Sequence, residues 1–195
     1  RLVHYAAELG VNFIDTANMY EGYNRFAGSA GGVAEEIVGK AVAGRRADFV
    51  IATKLGMKVG DTPVDENTSP EAIRVQLRRS LRRMNTDYVD LYYLHRYDPN
   101  TAPGEIARAI GEELKAGTIR AWGVSNYSAE QLSALLAAAL SVGLAKGVVW
   151  QYEWRSGVTL RGDVSMLARF AMGLQDSETA AGWYNDYTKQ FFPAE

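Results

Sequence analysis

Five short runs along the chain, at residues 11–16, 49–53, 88–95, 119–124 and 148–154, concentrate β-branched and aromatic side chains. Between them the apolar positions change to helical spacing. Leu2, Tyr5, Ala6 and Leu9 share one helical face that stops at Gly10, where glycine accepts the left-handed conformation. Ser69 and Pro70 supply an N-cap and a first-turn proline ahead of Ile73, Leu77, Leu81 and Met84. Arginines at 74, 78, 79, 82 and 83 intervene, so the pattern predicts an amphipathic helix whose arginines form the solvated face. Ser128 and Gln131 make a capping-box pair before the stripe Leu132, Leu135, Leu136, Ala139 and Leu140. The Gly-rich segment 27–33 lacks the Lys-Ser/Thr of a phosphate-binding loop, and is predicted to be a loop leading into a helix near Ala34.

Strand runs alternating with helical stripes predict βα units and a parallel sheet. No Gly- or Pro-rich linker and no internal repeat divides residues 1–195, which predicts a single domain. Periodicity leaves two architectures open, a doubly wound open sheet and a (β/α)8 TIM barrel. A full barrel takes about 250 residues, so five to six units in 195 residues predict an incomplete one.

Composition narrows the function classes. The chain has 47% hydrophobic residues and no cysteine, which excludes a disulfide scaffold and any thiolate metal site. Its only imidazoles are His4 and His95, with no carboxylate cluster at ligand spacing, so no metal is expected. A net charge of −2 argues against a nucleic-acid partner, whose binding is driven by cationic side chains meeting phosphates. The least polar window, 134–145, is much shorter than the roughly 20 residues that span a bilayer. Residues 1–10 lack the apolar core of a signal peptide, and the expected location is cytoplasmic. The chain begins with Arg1 rather than Met, and is expected to be a fragment or processed product.

In either architecture ligands bind beyond the carboxyl ends of the strands. There the five runs deliver Asp15 and Tyr20, Lys54, His95, Ser125 with Asn126, and Gln151. A phenol titrates near 10, too high for acid work at neutral pH unless a cation favours the phenolate. Lys54 can supply that cation, Asp15 can hold it protonated, and His95 can orient a carbonyl or join a proton relay. Trp183, Tyr184, Tyr187, Phe191 and Phe192 are expected to pack against the sheet rather than line a pocket.

The segments 10–20 (GVNFIDTANMY), 51–54 (IATK), 90–95 (DLYYLH) and 119–126 (IRAWGVSN) resemble, in order and spacing, the signature segments of the aldo-keto reductase family. The resemblance covers about residues 1–153. It implies a (β/α)8 barrel without a Rossmann fold, and reduction of an aldehyde or ketone by hydride from NAD(P)H, usually NADPH with NADH as the alternative. It implies further that Asp15, Tyr20, Lys54 and His95 form the catalytic quartet with Tyr20 as proton donor. Ser125, Asn126 and Gln151 match the positions that hold the nicotinamide carboxamide. The partner is then a small-molecule carbonyl substrate. Against the family pattern, the opening hairpin and first strand are missing before Arg1, and the segment gripping the adenosine phosphate has no counterpart after residue 154. A barrel truncated in this way exposes sheet edges, through which self-association is expected. Two alternatives accompany the reductase: a non-catalytic nucleotide-sensing or scaffold relative, and an inactive truncated fragment.

Overall fold

The structure is a computed structural model that describes residues 1–20 and 31–144, together with the backbone of 148–151. Helix α1 (Leu2–Glu8) precedes strand β1 (Phe13–Asp15). Four further strands follow, each led in by a helix: α2 (Val33–Val42) and β2 (Val50–Leu55), α3 (Pro70–Met84) and β3 (Val89–Leu94), α4 (Pro103–Ala116) and β4 (Ile119–Ser125), α5 (Ala129–Ser141) and β5 (Val148–Gln151). All strand pairs are parallel and the sheet order is β1-β2-β3-β4-β5. A doubly wound sheet reverses its strand order at a switch point. No reversal occurs among the described strands, so their winding is that of a barrel.

The sequence signals act where their chemistry requires. Ser69 Oγ accepts from the Ala72 N–H at 3.2 Å and opens α3, with Pro70 in its first turn. Ser128 and Gln131 form both bonds of the capping box on α5. Gly117, at φ 75°, closes α4 in the left-handed region that an L side chain resists.

The main core lies between the sheet and its helices. Ile51 and Leu55 of β2, Tyr92 and Leu94 of β3, and Trp122 and Val124 of β4 pack there against Ile73, Leu77, Ile110 and Leu135. A smaller cluster, Ala52, Leu91, Tyr93 and Ala121, occupies the opposite face. The tight fit reaches the backbone: a Cβ on Gly31 or Gly32, both with positive φ, would run into the Asn18 carbonyl or the Arg83 side chain.

One sequence expectation needs correction. The arginines of α3 are more than a wet face, because three of them neutralise carboxylates buried on neighbouring segments. Arg78 meets Glu113 at 3.0 Å, Arg79 meets Asp65 at 2.5 Å and Arg83 meets Glu35 at 2.6 Å. Glu35, fully buried, also accepts from Thr53 Oγ1 at 2.5 Å. A buried charge is tolerated only when paired, and the pairing groups come from segments far apart in sequence. Helix α1 packs differently from α3. Its apolar residues Leu2, Tyr5 and Leu9 are exposed, and Val3 and Ala7 make its core contact. The strand it precedes, β1, is an edge of the described sheet, which offers that face no second layer. Among the described residues no helix is long and apolar enough to cross a membrane.

Candidate active site

Strand side chains alternate between faces, and paired residues of parallel strands share a face. Asp15 is in register with Ala52, and Lys54, two residues on, with Tyr93. Tyr93 pairs with Gly123, two residues before Ser125. Asp15, Lys54, Tyr93 and Ser125 therefore lie on the face turned away from the helices, at its carboxyl end. His95 follows β3 with the same parity, and its backbone N–H still bonds Leu55 O at 2.8 Å. Lys54 lies inside β2 rather than beyond it, because the ladder extends past the run of β-branched residues.

Lys54 is fully buried, and its Nζ donates to Asp15 Oδ2 at 2.6 Å, to the Thr16 carbonyl at 3.0 Å and to Tyr20 Oη at 3.3 Å. The ammonium also stands 4.8 Å from the centre of the Tyr20 ring and 5.8 Å from that of Tyr93. Burying a lone ammonium costs several kcal/mol. Asp15, the carbonyl and the two rings offset that cost and fix the charge beside one phenol oxygen. His95, almost fully buried, meets the Tyr20 ring edge-on, with centroids 5.9 Å apart and planes at 83°. Burial first, and the Asp15 carboxylate second, push the Tyr93 phenol well above its ordinary value, so Tyr93 remains protonated.

On the far side of His95, Asn126 adopts the left-handed conformation at φ 58° and turns its amide back. Its Nδ2 donates to the His95 carbonyl at 2.9 Å and lies 3.1 Å from Ser125 Oγ. Asp98 braces the loops behind. It accepts from the Thr68 N–H at 3.0 Å, from Thr101 Oγ1 at 2.7 Å and from the Asn100 N–H at 2.9 Å. Burial works to raise its carboxyl, but these bonds outweigh burial and hold it below the ordinary carboxylate value.

A profile of the Aldo/keto reductase family matches residues 1–154. The chain belongs to that family. Among aldo/keto reductase relatives, it is 37% identical over 139 residues to a 6-dehydroglucose reductase of Novosphingobium aromaticivorans, covering 69% of this chain and 43% of that protein. It is 36% identical over 156 residues to a probable voltage-gated potassium channel subunit beta of Oryza sativa subsp. japonica, covering 78% and 44%. A crystal structure of an aldo-keto reductase from Klebsiella pneumoniae in complex with NADPH superposes with a TM-score of 0.59 at 32% identity, covering 75% and 45%. The chain thus spans less than half the length of these relatives.

For this aldo/keto reductase chain, the structure gathers Asp15, Tyr20, Lys54 and His95 into one contiguous group, with Ser125 and Asn126 bordering His95. Gln151 pairs in register with Ser125. Trp183, Tyr184, Tyr187, Phe191 and Phe192 lie outside the described residues, as does the continuation of the fifth run at 152–154. Tyr93, Asn18, Gln76 and Asp98 are not among the candidates that the sequence alone supplies. Strand alternation puts Tyr93 on the same face as His95, two residues on. Gln76 carried its own signal, a primary amide between Ile73 and Leu77 on the apolar stripe of α3.

Proposed function

We propose that this chain carries the catalytic half of an NADPH-dependent carbonyl reductase, with NADH as the alternative donor, acting in the cytoplasm on an aldehyde or ketone. The observation that carries the reading is the buried Lys54 ammonium held by Asp15 at 2.6 Å and aimed at Tyr20 Oη at 3.3 Å. The donor set suits a nicotinamide carboxamide, which offers one acceptor oxygen and two N–H donors. The Ser125 hydroxyl and the Asn126 amide can both give and receive hydrogen bonds, and the backbone of Gln151 runs beside them. When bound, the cofactor supplies hydride to the carbonyl carbon.

Tyr20 stands as the general acid. As two electrons arrive with the hydride, the carbonyl π pair moves onto oxygen and the Tyr20 Oη proton passes to it. Lys54 stabilises the phenolate that develops, because its ammonium is held within hydrogen-bond reach of the Tyr20 oxygen. Asp15 keeps that ammonium charged and in place. His95, beside the Tyr20 ring, orients the carbonyl oxygen towards the phenol.

Tyr20→Phe removes the proton and leaves the ring contacts with Lys54 and His95. Aldehyde turnover is expected to fall by roughly 100-fold or more, with NADPH binding unchanged by calorimetry. Undiminished turnover would overturn the role of Tyr20. A second reading is favoured by the plant relative named as a potassium channel β subunit: the same group would bind nucleotide and signal it to a partner protein. NADPH binding with no reduction across an aldehyde panel, alongside stable association with a partner, decides for that reading.

A further inference from the structure

Gln76 and Asn18 are each only 1% exposed, and Asn18 Nδ2 donates to Gln76 Oε1 at 2.6 Å. Gln76 Nε2 in turn donates to the carbonyl of Val64, in the turn Pro63–Asp65 between β2 and α3. One side-chain amide on α3 therefore ties together two loops at the carboxyl end of the sheet. The first carries Tyr20, two residues after Asn18. Asn18 is a node in that loop, since its N–H reaches Lys54 O at 3.4 Å and its carbonyl receives the Gly32 N–H at 2.6 Å. Its Oδ1 has no hydrogen-bond partner among the described residues, so the bond to Gln76 is what anchors the side chain. Asp98 makes the same kind of link one loop further on, joining Thr68 to Asn100 and Thr101.

Packing gives no reason for an amide at this position. Gln76 shares the buried stripe of α3 with Ile73, Leu77, Leu81 and Met84, where Met or Leu would fill the space without the desolvation of a polar group. What the amide adds is direction: it fixes Asn18 relative to α3, and hence the chain that leads to the phenol. Displacing a reacting group by about 1 Å can cost roughly 100-fold in rate. The Tyr20 hydroxyl already sits at 3.3 Å from Lys54, so small slack in its loop separates the pair.

We propose that Gln76 is a positioning residue for Tyr20, acting through Asn18. The proposal rests on the reading of Tyr20 as proton donor, and its test separates the two. Gln76→Met removes both hydrogen bonds at similar length, Gln76→Glu retains an acceptor for Asn18, and Asn18→Ala removes the link from the other side. Each variant, and the double variant Asn18→Ala/Gln76→Met, is measured three ways. These are kcat and KM for an aldehyde with NADPH, the thermal unfolding midpoint, and NMR of ring-labelled tyrosines, with the Tyr20 signal assigned from Tyr20→Phe.

For Gln76→Met the expected result is a kcat lowered roughly 10- to 100-fold with KM within about twofold. The Tyr20 ring signal moves or splits, while the other tyrosine signals stay in place. Gln76→Glu, whose carboxylate keeps the acceptor for Asn18 but loses the donor to the Val64 carbonyl, recovers at most part of the rate, and the double variant is no slower than the slower single variant. An unmoved Tyr20 signal in Gln76→Met, or rate losses that multiply in the double variant, would overturn the proposal. If Gln76→Met fails to fold, Asn18→Ala carries the same comparison. If the parent chain reduces no aldehyde, the proton-donor reading fails, and the ring signal still decides whether Gln76 sets the position of Tyr20.

Discussion

Replacing Asp15 by Asn and, separately, Lys54 by Met breaks one ion pair of 2.6 Å but leaves unlike residues behind. The Lys54 side chain is fully buried, whereas that of Asp15 is 34% exposed. Asp15→Asn strands a buried ammonium with the Thr16 carbonyl and Tyr20 Oη as acceptors. At an effective dielectric constant of about 20, two unit charges 2.6 Å apart attract by about 6 kcal/mol. Residual acceptors and water admitted at Asp15 offset part of this, leaving a destabilisation of about 3 kcal/mol, within the range found when one partner of a buried pair is removed. Lys54→Met removes the buried charge with a side chain of similar length, and Asp15 gains hydration. Its cost is about 1 kcal/mol or less. The double variant is expected to regain most of what Asp15→Asn loses. Urea unfolding at neutral pH, followed by circular dichroism, reads these differences. With m near 2 kcal/mol/M, Asp15→Asn shifts the midpoint by about 1.5 M. Equal losses in the two single variants, or a double variant as unstable as their sum, would show that the buried charge of Lys54 is not what Asp15 compensates.

Two further outcomes follow from features away from Lys54. Asp90 accepts from the Ile51 N–H and pairs with both Arg46 and Arg120, whose guanidinium groups lie 4.2 and 3.9 Å from the Tyr88 ring centre. Asp90→Ala should cost about 2 kcal/mol in the same unfolding assay and leave NADPH affinity untouched, and an altered affinity would show that the two ends of the sheet are coupled. The Asp98 carboxyl lies below its ordinary value of 3.8 in the folded chain, so its contribution is present above that value and is lost as pH falls through the folded one. Asp98→Asn should be less stable than the parent at neutral pH, with the two stability curves converging below about pH 4; curves that stay parallel would refute the assignment.

The element types were legible because period-2 runs and helical stripes report local geometry. Strand ends were less so: β1 is only three residues, and β2 extends to Leu55 because Lys54 keeps its backbone pairing whatever its side chain. The ordered motifs marked out Asp15, Lys54 and His95 as chemically suspect. That Lys54 Nζ would reach both Asp15 and Tyr20 depends on register between strands, which no local pattern encodes. The ion pairs of Arg78, Arg79 and Arg83 were hidden for the same reason, since each joins residues brought together by packing alone. Gln76 is the instructive omission, because a polar residue inside an apolar stripe was visible and its partner, 58 positions away, was not.

The shared face of Asp15, Lys54 and Ser125 bears on which changes a lineage can accumulate. Loops can lengthen or shorten while the parity of the strands is preserved. A one-residue insertion or deletion within β2 is different in kind. It would turn Lys54 towards the helices and bring Thr53 or Leu55 to the reacting side, erasing the site in a single step. Related chains are therefore expected to diverge by substitution throughout, to vary in length between strands, and to keep the residue count within each strand.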